Sequence, residues 1–217
     1  MQPDAEAFVG ALRPAVRKAA SIARALEGRV RNRPKSGEAS DAKAALTLAD
    51  SAAQEAILIP LHAGFPGLGL VAEEDTPSVG RFPARSDARV VVDPIDGTLR
   101  SYLDGSGPYA VMVGLSVAGQ YEAALVGLPR EDLYFDAVRG QGAQVATAAG
   151  RPHPVELDPA GRRVMISYDA PPAAAAYLLK RDYQPVPGCG GAIAVAPCIP
   201  GFCGGLRLAN RPQGISP

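Results

Sequence analysis

The segment Val90-Val91-Val92-Asp93-Pro94-Ile95-Asp96-Gly97-Thr98 constrains this chain more than any other. Its β-branched run reads as the end of a buried strand, and the hexapeptide that follows reads as a stiff turn. Pro94 sets its own φ and biases Asp93 away from helical backbone. Two carboxylates three residues apart on such a turn can point into one small volume. Gly97 lets the backbone come close to a ligand, and a helix opening there would aim its first amides at an anion. Paired carboxylates, a hydroxyl and an anion-binding turn are the parts that metal-assisted phosphoester hydrolysis uses. Asp-Pro-x-Asp-Gly is also ordinary turn chemistry, so the reading depends on the rest of the chain.

Two upstream segments supply what the turn lacks. Glu73-Glu74-Asp75 follows Gly67-Leu68-Gly69-Leu70-Val71-Ala72, a turn and a short apolar strand. A carboxylate leaving a strand end can ligate a metal, although three adjacent acids are more often a solvated loop. Thr47-Leu48-Ala49-Asp50 precedes the apolar positions Ala53, Ile57, Leu58 and Leu61. Thr47 is placed to cap that helix and Asp50 to sit in its first turn. Read alone, that pair is a helix start and nothing more.

Thr-x-x-Asp, then Glu-Glu after a strand, then Asp-Pro-Ile-Asp-Gly-Thr, in this order and spacing, resembles the inositol monophosphatase-like family. That family contains Mg²⁺-dependent, typically lithium-sensitive phosphatases, among them bisphosphate nucleotidases and some fructose-bisphosphatases. The resemblance covers roughly residues 5 to 170. It continues through Pro108-Tyr109-Ala110-Val111-Met112-Val113-Gly114-Leu115 and through Gly140-Gln141-Gly142-Ala143. It implies an α/β (α+β) layered sandwich of the inositol monophosphatase and sugar phosphatase type.

The resemblance also implies roles. Glu73 and Asp93 would hold one Mg²⁺ with the carbonyl of Ile95, and Asp93 would bridge to a second ion held by Asp96, two or three ions in all. These are hard oxygen ligands, suited to Mg²⁺ and not to zinc. The implied catalytic set is Asp50, Thr98 and Glu73, with Asp50 and Thr98 orienting and deprotonating the attacking water. The amides of Gly97 and Thr98 would cradle the phosphate. The implied reaction is Mg²⁺-dependent hydrolysis of a small phosphorylated metabolite such as inositol monophosphate. Bisphosphate nucleotide, sugar phosphate and histidinol phosphate remain alternatives, because Arg100 and Ser101-Tyr102-Leu103 depart from the residues usual in inositol monophosphatases.

Composition agrees with a globular enzyme. The chain has 217 residues, with 22 acidic and 22 basic residues, so no global charge draws it to nucleic acid or membrane. No basic, aromatic-interleaved stripe appears, and no apolar run is long enough to span a bilayer. The N-terminus lacks the compact apolar stretch of a secretory signal, and three cysteines make no disulfide framework, so a reducing cytoplasm is expected. The partner implied is a small phosphate ester, with a homodimer raised by the resemblance. Zinc at Cys189, Cys198 and Cys203 is disfavoured by their wide spacing and the want of a fourth ligand.

Phe8, Leu12, Val16, Ala19, Ile22, Leu26 and Val30 recur at helical steps and predict a long amphipathic helix. The polar stretch 31–45 reads as a loop whose Lys35 and Lys43 are solvated. From Tyr109 to Val145 alternation and turn signals predict an antiparallel meander. Val164-Met165-Ile166 reads as a strand and 173–180 as a helix.

The expected organisation is a complete N-terminal α+β metal- and phosphate-binding domain at 1–150, the start of a second α/β domain at 151–191, and an irregular Gly/Pro/Cys-rich tail at 192–217. Against the resemblance, the chain has no tryptophan and no Trp-Asp-x-Ala-Ala-like motif, whose aspartate would complete the second metal site. Gly188-Cys189-Gly190-Gly191-Ala192 resembles the family's Gly-Ser-Ala turn before a helix. The tail from about Ala192 is expected to be a truncated or frameshifted remnant of the second half, with activity greatly reduced. A non-catalytic remnant and a phosphate-binding module are the competing functions.

Overall fold

The computed structural model describes residues 3–37 and 46–207. Helix α1 (Ala5–Leu26) and helix α2 (Leu48–Gly64) pack side by side. Asp4 caps α1 by accepting hydrogen bonds from the amides of Glu6 and Ala7 at 2.9 and 3.1 Å, a contribution of about 1 kcal/mol. The apolar repeat continues to Val30, but the helix stops at Leu26, two residues before Gly28 with φ +71°.

The helices cover one face of a seven-stranded sheet. Its strands are β1 (Gly69–Ala72), β2 (Ala88–Asp96), β3 (Ala110–Val117), β4 (Gln120–Leu128), β5 (Leu133–Val138), β6 (Gly142–Ala146) and β7 (His153–Pro154). They lie in chain order, with β1 parallel to β2 and every later pair antiparallel. The meander thus follows the expected order. The β3–β4 hairpin turns at Ala118-Gly119, both at positive φ, the geometry that matches strand twist.

Strand periodicity explains the layering. Val111, Val113 and Leu115 on β3 join Phe8, Leu12, Val16, Ile57, Leu58 and Leu61 in the largest core cluster. Ala110 and Met112, on the opposite face, join a second cluster with Ile193 and Phe202. The second layer is a parallel three-stranded sheet ordered β10-β8-β9. It comprises β8 (Arg163–Ser167), β9 (Gln184–Gly188) and β10 (Phe202–Leu206), with α3 (Pro172–Leu179) after β8 and α4 (Gly190–Val195) after β9. Parallel neighbours need such crossovers. The molecule is a layered α/β sandwich, as expected.

One expectation is corrected. The stretch from Ala192 is not irregular as far as Leu206. Pro197 falls in a short helical turn (Ala196–Cys198), where φ near −65° is tolerated. Strand β10 has poor intrinsic strand propensity, but pairing with β8 overrides it. Gly205 permits the approach, since a Cβ there would collide with the backbone of Ile193. Residues 208–217 and Lys43 lie outside the described residues.

Candidate active site

The two aspartates of the turn reach one cavity through a bulge. Residues three apart on a regular strand point to opposite faces. On β2, Asp93 pairs with Met112 and Asp96 with Ala110, so β2 carries one extra residue against β3. That bulge, at Pro94-Ile95, bends the strand and re-aims its side chains. Pro94 fits there because a bulge leaves a ladder position without its usual donor. Strand pairing therefore runs on to Asp96, past the Val92 end that the sequence predicts. Ile95 is 1% exposed and packs with Ala23, Ala49, Tyr102 and Tyr109, which anchors the bulge to the helices.

After Gly97 the chain makes a wide helical turn, Thr98–Leu103, rather than a full helix. Gly97 O accepts from the amides of Ser101 and Tyr102 at 2.9 and 3.1 Å. The turn is held from behind. Tyr102 Oη donates to Ala23 O at 2.8 Å. Arg130 donates from Nε to Glu27 Oε1 at 2.7 Å and from Nη2 to Ser101 O at 2.9 Å, and its guanidinium lies over the Tyr109 ring. Burial pushes the Glu27 carboxyl up, but Arg130 and Arg24 outweigh it and hold the group below its ordinary range.

Asp50 has two tasks. Thr47 accepts from the Ala49 amide at 3.1 Å as the N-cap of α2, and Asp50 Oδ2 reaches back to the Thr47 amide at 2.8 Å and to its hydroxyl at 2.6 Å. This is the capping-box arrangement with aspartate at the third helical position. The other oxygen, Oδ1, lies 2.9 Å from Thr98 Oγ1, which is also 2.8 Å from Ile95 O. Asp50 is fully buried, and burial raises its pKa although Thr47 and Thr98 pull the other way. A carboxylate held this way is a better proton acceptor than one in water.

Glu73, Asp93, Ile95, Asp96, Gly97 and Thr98 all line one cavity of about 510 Å³. Its opposite wall is built by the second sheet and includes Tyr168, Cys189, Gly190 and Arg207. Asp93 Oδ1 is buried and has no hydrogen-bond partner. Its carboxyl is pushed well above the ordinary range by burial first, then by the charges of Asp96 and Glu73. Asp96 Oδ2 accepts from the Gly191 amide at 2.5 Å. Among the described residues, no three His, Cys, Asp or Glu side chains are gathered into a ready-made ion cage. The orphaned oxygen and the hard donor set nevertheless fit a magnesium ion, which keeps several of its own waters and needs few protein ligands.

Lys35 corrects the sequence reading. It is not solvated, for Nζ lies 2.7 Å from Glu74 Oε1 and 3.8 Å from Glu73 Oε1. Burial lowers its pKa, but the hydrogen bond and charge of Glu74 more than offset this. At Glu74, 5% exposed, burial prevails and the carboxyl is raised. The Glu74 backbone is fixed by Gln54, which donates to its carbonyl at 2.6 Å and accepts from its amide at 3.0 Å. Gln54, one helical turn after Asp50, and Arg130, Tyr168 and Arg207, far along the chain from the motif, carry no local sequence signal of their place at the site. The histidines stay outside the cavity lining, as do Cys198 and Cys203.

The inositol monophosphatase family pattern matches residues 4–176. A histidinol-phosphatase of Chlorobaculum parvum is 37% identical over 98 residues, which is 45% of this chain and 36% of the relative. Nus factor SuhB of Pasteurella multocida is 32% identical over 100 residues, 46% of this chain and 36% of the relative. These alignments span about a third of the relatives' length. Among solved structures, an IMPase of Thermotoga maritima is similar with a TM-score of 0.66 at 21% identity, covering 84% of this chain and 68% of that one. CysQ of Bacteroides thetaiotaomicron, a bacterial member of the inositol monophosphatase family, gives a TM-score of 0.64 at 18% identity, covering 88% of this chain and 76% of that one. At such identities the structures speak for the fold alone. The matched residues take in the Thr47–Asp50 cap, Glu73 and the bulged strand through Thr98, and on that match this chain belongs to the inositol monophosphatase family.

Proposed function

We propose that this chain is a Mg²⁺-dependent phosphomonoesterase acting on a small phosphorylated metabolite. The buried, partnerless Oδ1 of Asp93, beside two further carboxylates and the Asp50–Thr98 pair, is the observation that carries this reading. Glu73, Asp93 and the Ile95 carbonyl would hold magnesium, with Asp96 beside them in the same cavity. Ile95 O lies 2.8 Å from Thr98 Oγ1, and with the single hydroxyl proton turned to Asp50 its lone pairs are left for the ion. Magnesium bound there would acidify water and neutralise charge on the phosphoryl oxygens.

The chain's own residues handle the proton. As water attacks phosphorus and the ester P–O bond breaks, Thr98 Oγ1 takes a proton from the water and passes its own to Asp50 Oδ1. The leaving alkoxide takes a proton from solvent water, Asp50 gives its proton back to solvent through Thr98, and alcohol and inorganic phosphate are the products. The bare backbone at Gly97 lets the phosphoryl group approach the turn, where the Gly97 and Thr98 amides would meet its oxygens. Substituting Thr98→Val keeps the shape and removes the relay. Phosphate release is expected to fall about 100- to 1,000-fold, with the thermal transition moved by only a few degrees. A variant with unimpaired turnover would remove Thr98 from the reaction.

The substrate class follows less directly. A relative is a histidinol-phosphatase, and inositol phosphate, histidinol phosphate, adenosine bisphosphate and fructose bisphosphate are all candidates for the cavity. The test is phosphate release from these four esters with Mg²⁺, with EDTA, and with Li⁺ added. Turnover that needs Mg²⁺ and falls with Li⁺ is expected for at least one. No turnover from any of them by the folded chain would favour the competing reading, a family remnant that binds without hydrolysis.

A further inference from the structure

We infer that Arg207 places a positive charge on the Asp96 side of the cavity and stands there in place of one divalent ion. The inference rests on the metal-dependent reading above. Arg207 follows the last residue of β10 and lines the same cavity as Asp93 and Asp96. Between them lies Gly190. A Cβ placed on that residue would be 3.4 Å from Arg207 Nη1 and 3.6 and 3.7 Å from the two oxygens of Asp96. Both groups therefore lie beside the bare backbone of Gly190 without touching one another.

The two aspartates of the motif are consequently unequal. Asp96 meets the Gly191 amide at 2.5 Å and a permanent positive charge nearby. Asp93 Oδ1 meets no donor at all. The positive charge of Arg207 opposes any cation that docks against Asp96. The planar guanidinium fork also suits the oxygens of a phosphate group. The cavity is thus built for one well-held ion at Asp93 and Glu73, with Arg207 supplying positive charge where a second ion would otherwise lie.

The test counts ions rather than turnover. Mn²⁺ binding to the full chain is measured by electron paramagnetic resonance and calorimetry for wild type, Arg207→Gln, Arg207→Lys and Asp93→Asn. Wild type and R207K are expected to show one tighter ion. In R207Q a second ion should appear, or the weaker class should tighten at least about tenfold, equivalent to ~1.4 kcal/mol. Arg207 is exposed, so R207Q is expected to keep the wild-type melt. Equal ion number and affinity in wild type and R207Q, with the tighter ion lost in D93N, would overturn the role of Arg207 alone. Retention of the tighter ion in D93N would overturn the metal site and this inference with it.

Discussion

Asp93→Asn is expected to abolish Mg²⁺-dependent phosphate release and, at the same time, to stabilise the metal-free protein. The two effects share one cause. Asp93 Oδ1 is buried without a partner, and burial, Asp96 and Glu73 together disfavour its charge. Asparagine keeps the shape and removes that charge, so the metal-free fold should gain about 0.5–2 kcal/mol, the usual yield of relaxing a strained functional site. The ligand lost would lower turnover by at least about 10³-fold, since metal chemistry supplies several kcal/mol. Mg²⁺ at a hundred times its dissociation constant should stabilise wild type by about 2.7 kcal/mol and D93N by far less. Urea melts in EDTA and in Mg²⁺, with phosphate release on the same samples, separate these effects. Mg²⁺-stimulated release by folded D93N would falsify the assignment.

The same group sets a pH dependence whose sign follows from linkage. Asp93 has a higher pKa folded than unfolded, so the folded chain binds more protons between those two values. Its stabilising contribution is full below the ordinary carboxylate range and is lost as pH rises through the raised value. Asp50 and Glu74, both raised by burial, act in the same direction. The share of metal-free stability carried by these three groups should therefore fall as pH rises from the ordinary carboxylate range, against the opposite trend of Glu27 and Glu55, and D93N should lack the Asp93 part of that fall.

Much of this fold was legible because its periodicities are clean. The alternation on β3 separates Val111, Val113 and Leu115 from Ala110 and Met112, and both faces proved to be core. The capping pattern Thr-x-x-Asp showed at residue level, and the structure adds only that Asp50 uses its second oxygen for Thr98. The bulge was not legible. Whether Asp93 and Asp96 share a side depends on the register against Met112 and Ala110, which local sequence does not encode. Lys35 was missed for a related reason, since its partners Glu73 and Glu74 lie 38 and 39 positions along the chain. Strand β10 was missed because glycines and a cysteine form a strand only when a neighbour supplies the ladder.

Gly97→Ala is expected to be the most disruptive single-methyl change in the turn. Gly97 has φ +90°, a region that costs an alanine about 1–2 kcal/mol. The added Cβ would also lie 2.7 Å from Cys189 Cβ, well inside the roughly 3.5–4.0 Å of a comfortable carbon contact. Either the turn or the Gly188–Gly190 segment must move, and with it one wall of the cavity. The combined loss is expected to reach about 2–4 kcal/mol. The two causes separate in a double-mutant cycle. Cys189→Gly removes the atom that is struck but leaves the backbone strain, so G97A in the C189G background should cost about 1–2 kcal/mol less than in wild type. Catalytic efficiency should recover in step if the contact sets the distance between Thr98 and the wall. Strict additivity in urea melts of the four proteins would mean that the turn and the second sheet do not meet at Cys189. The cavity would then need another origin for its closed side.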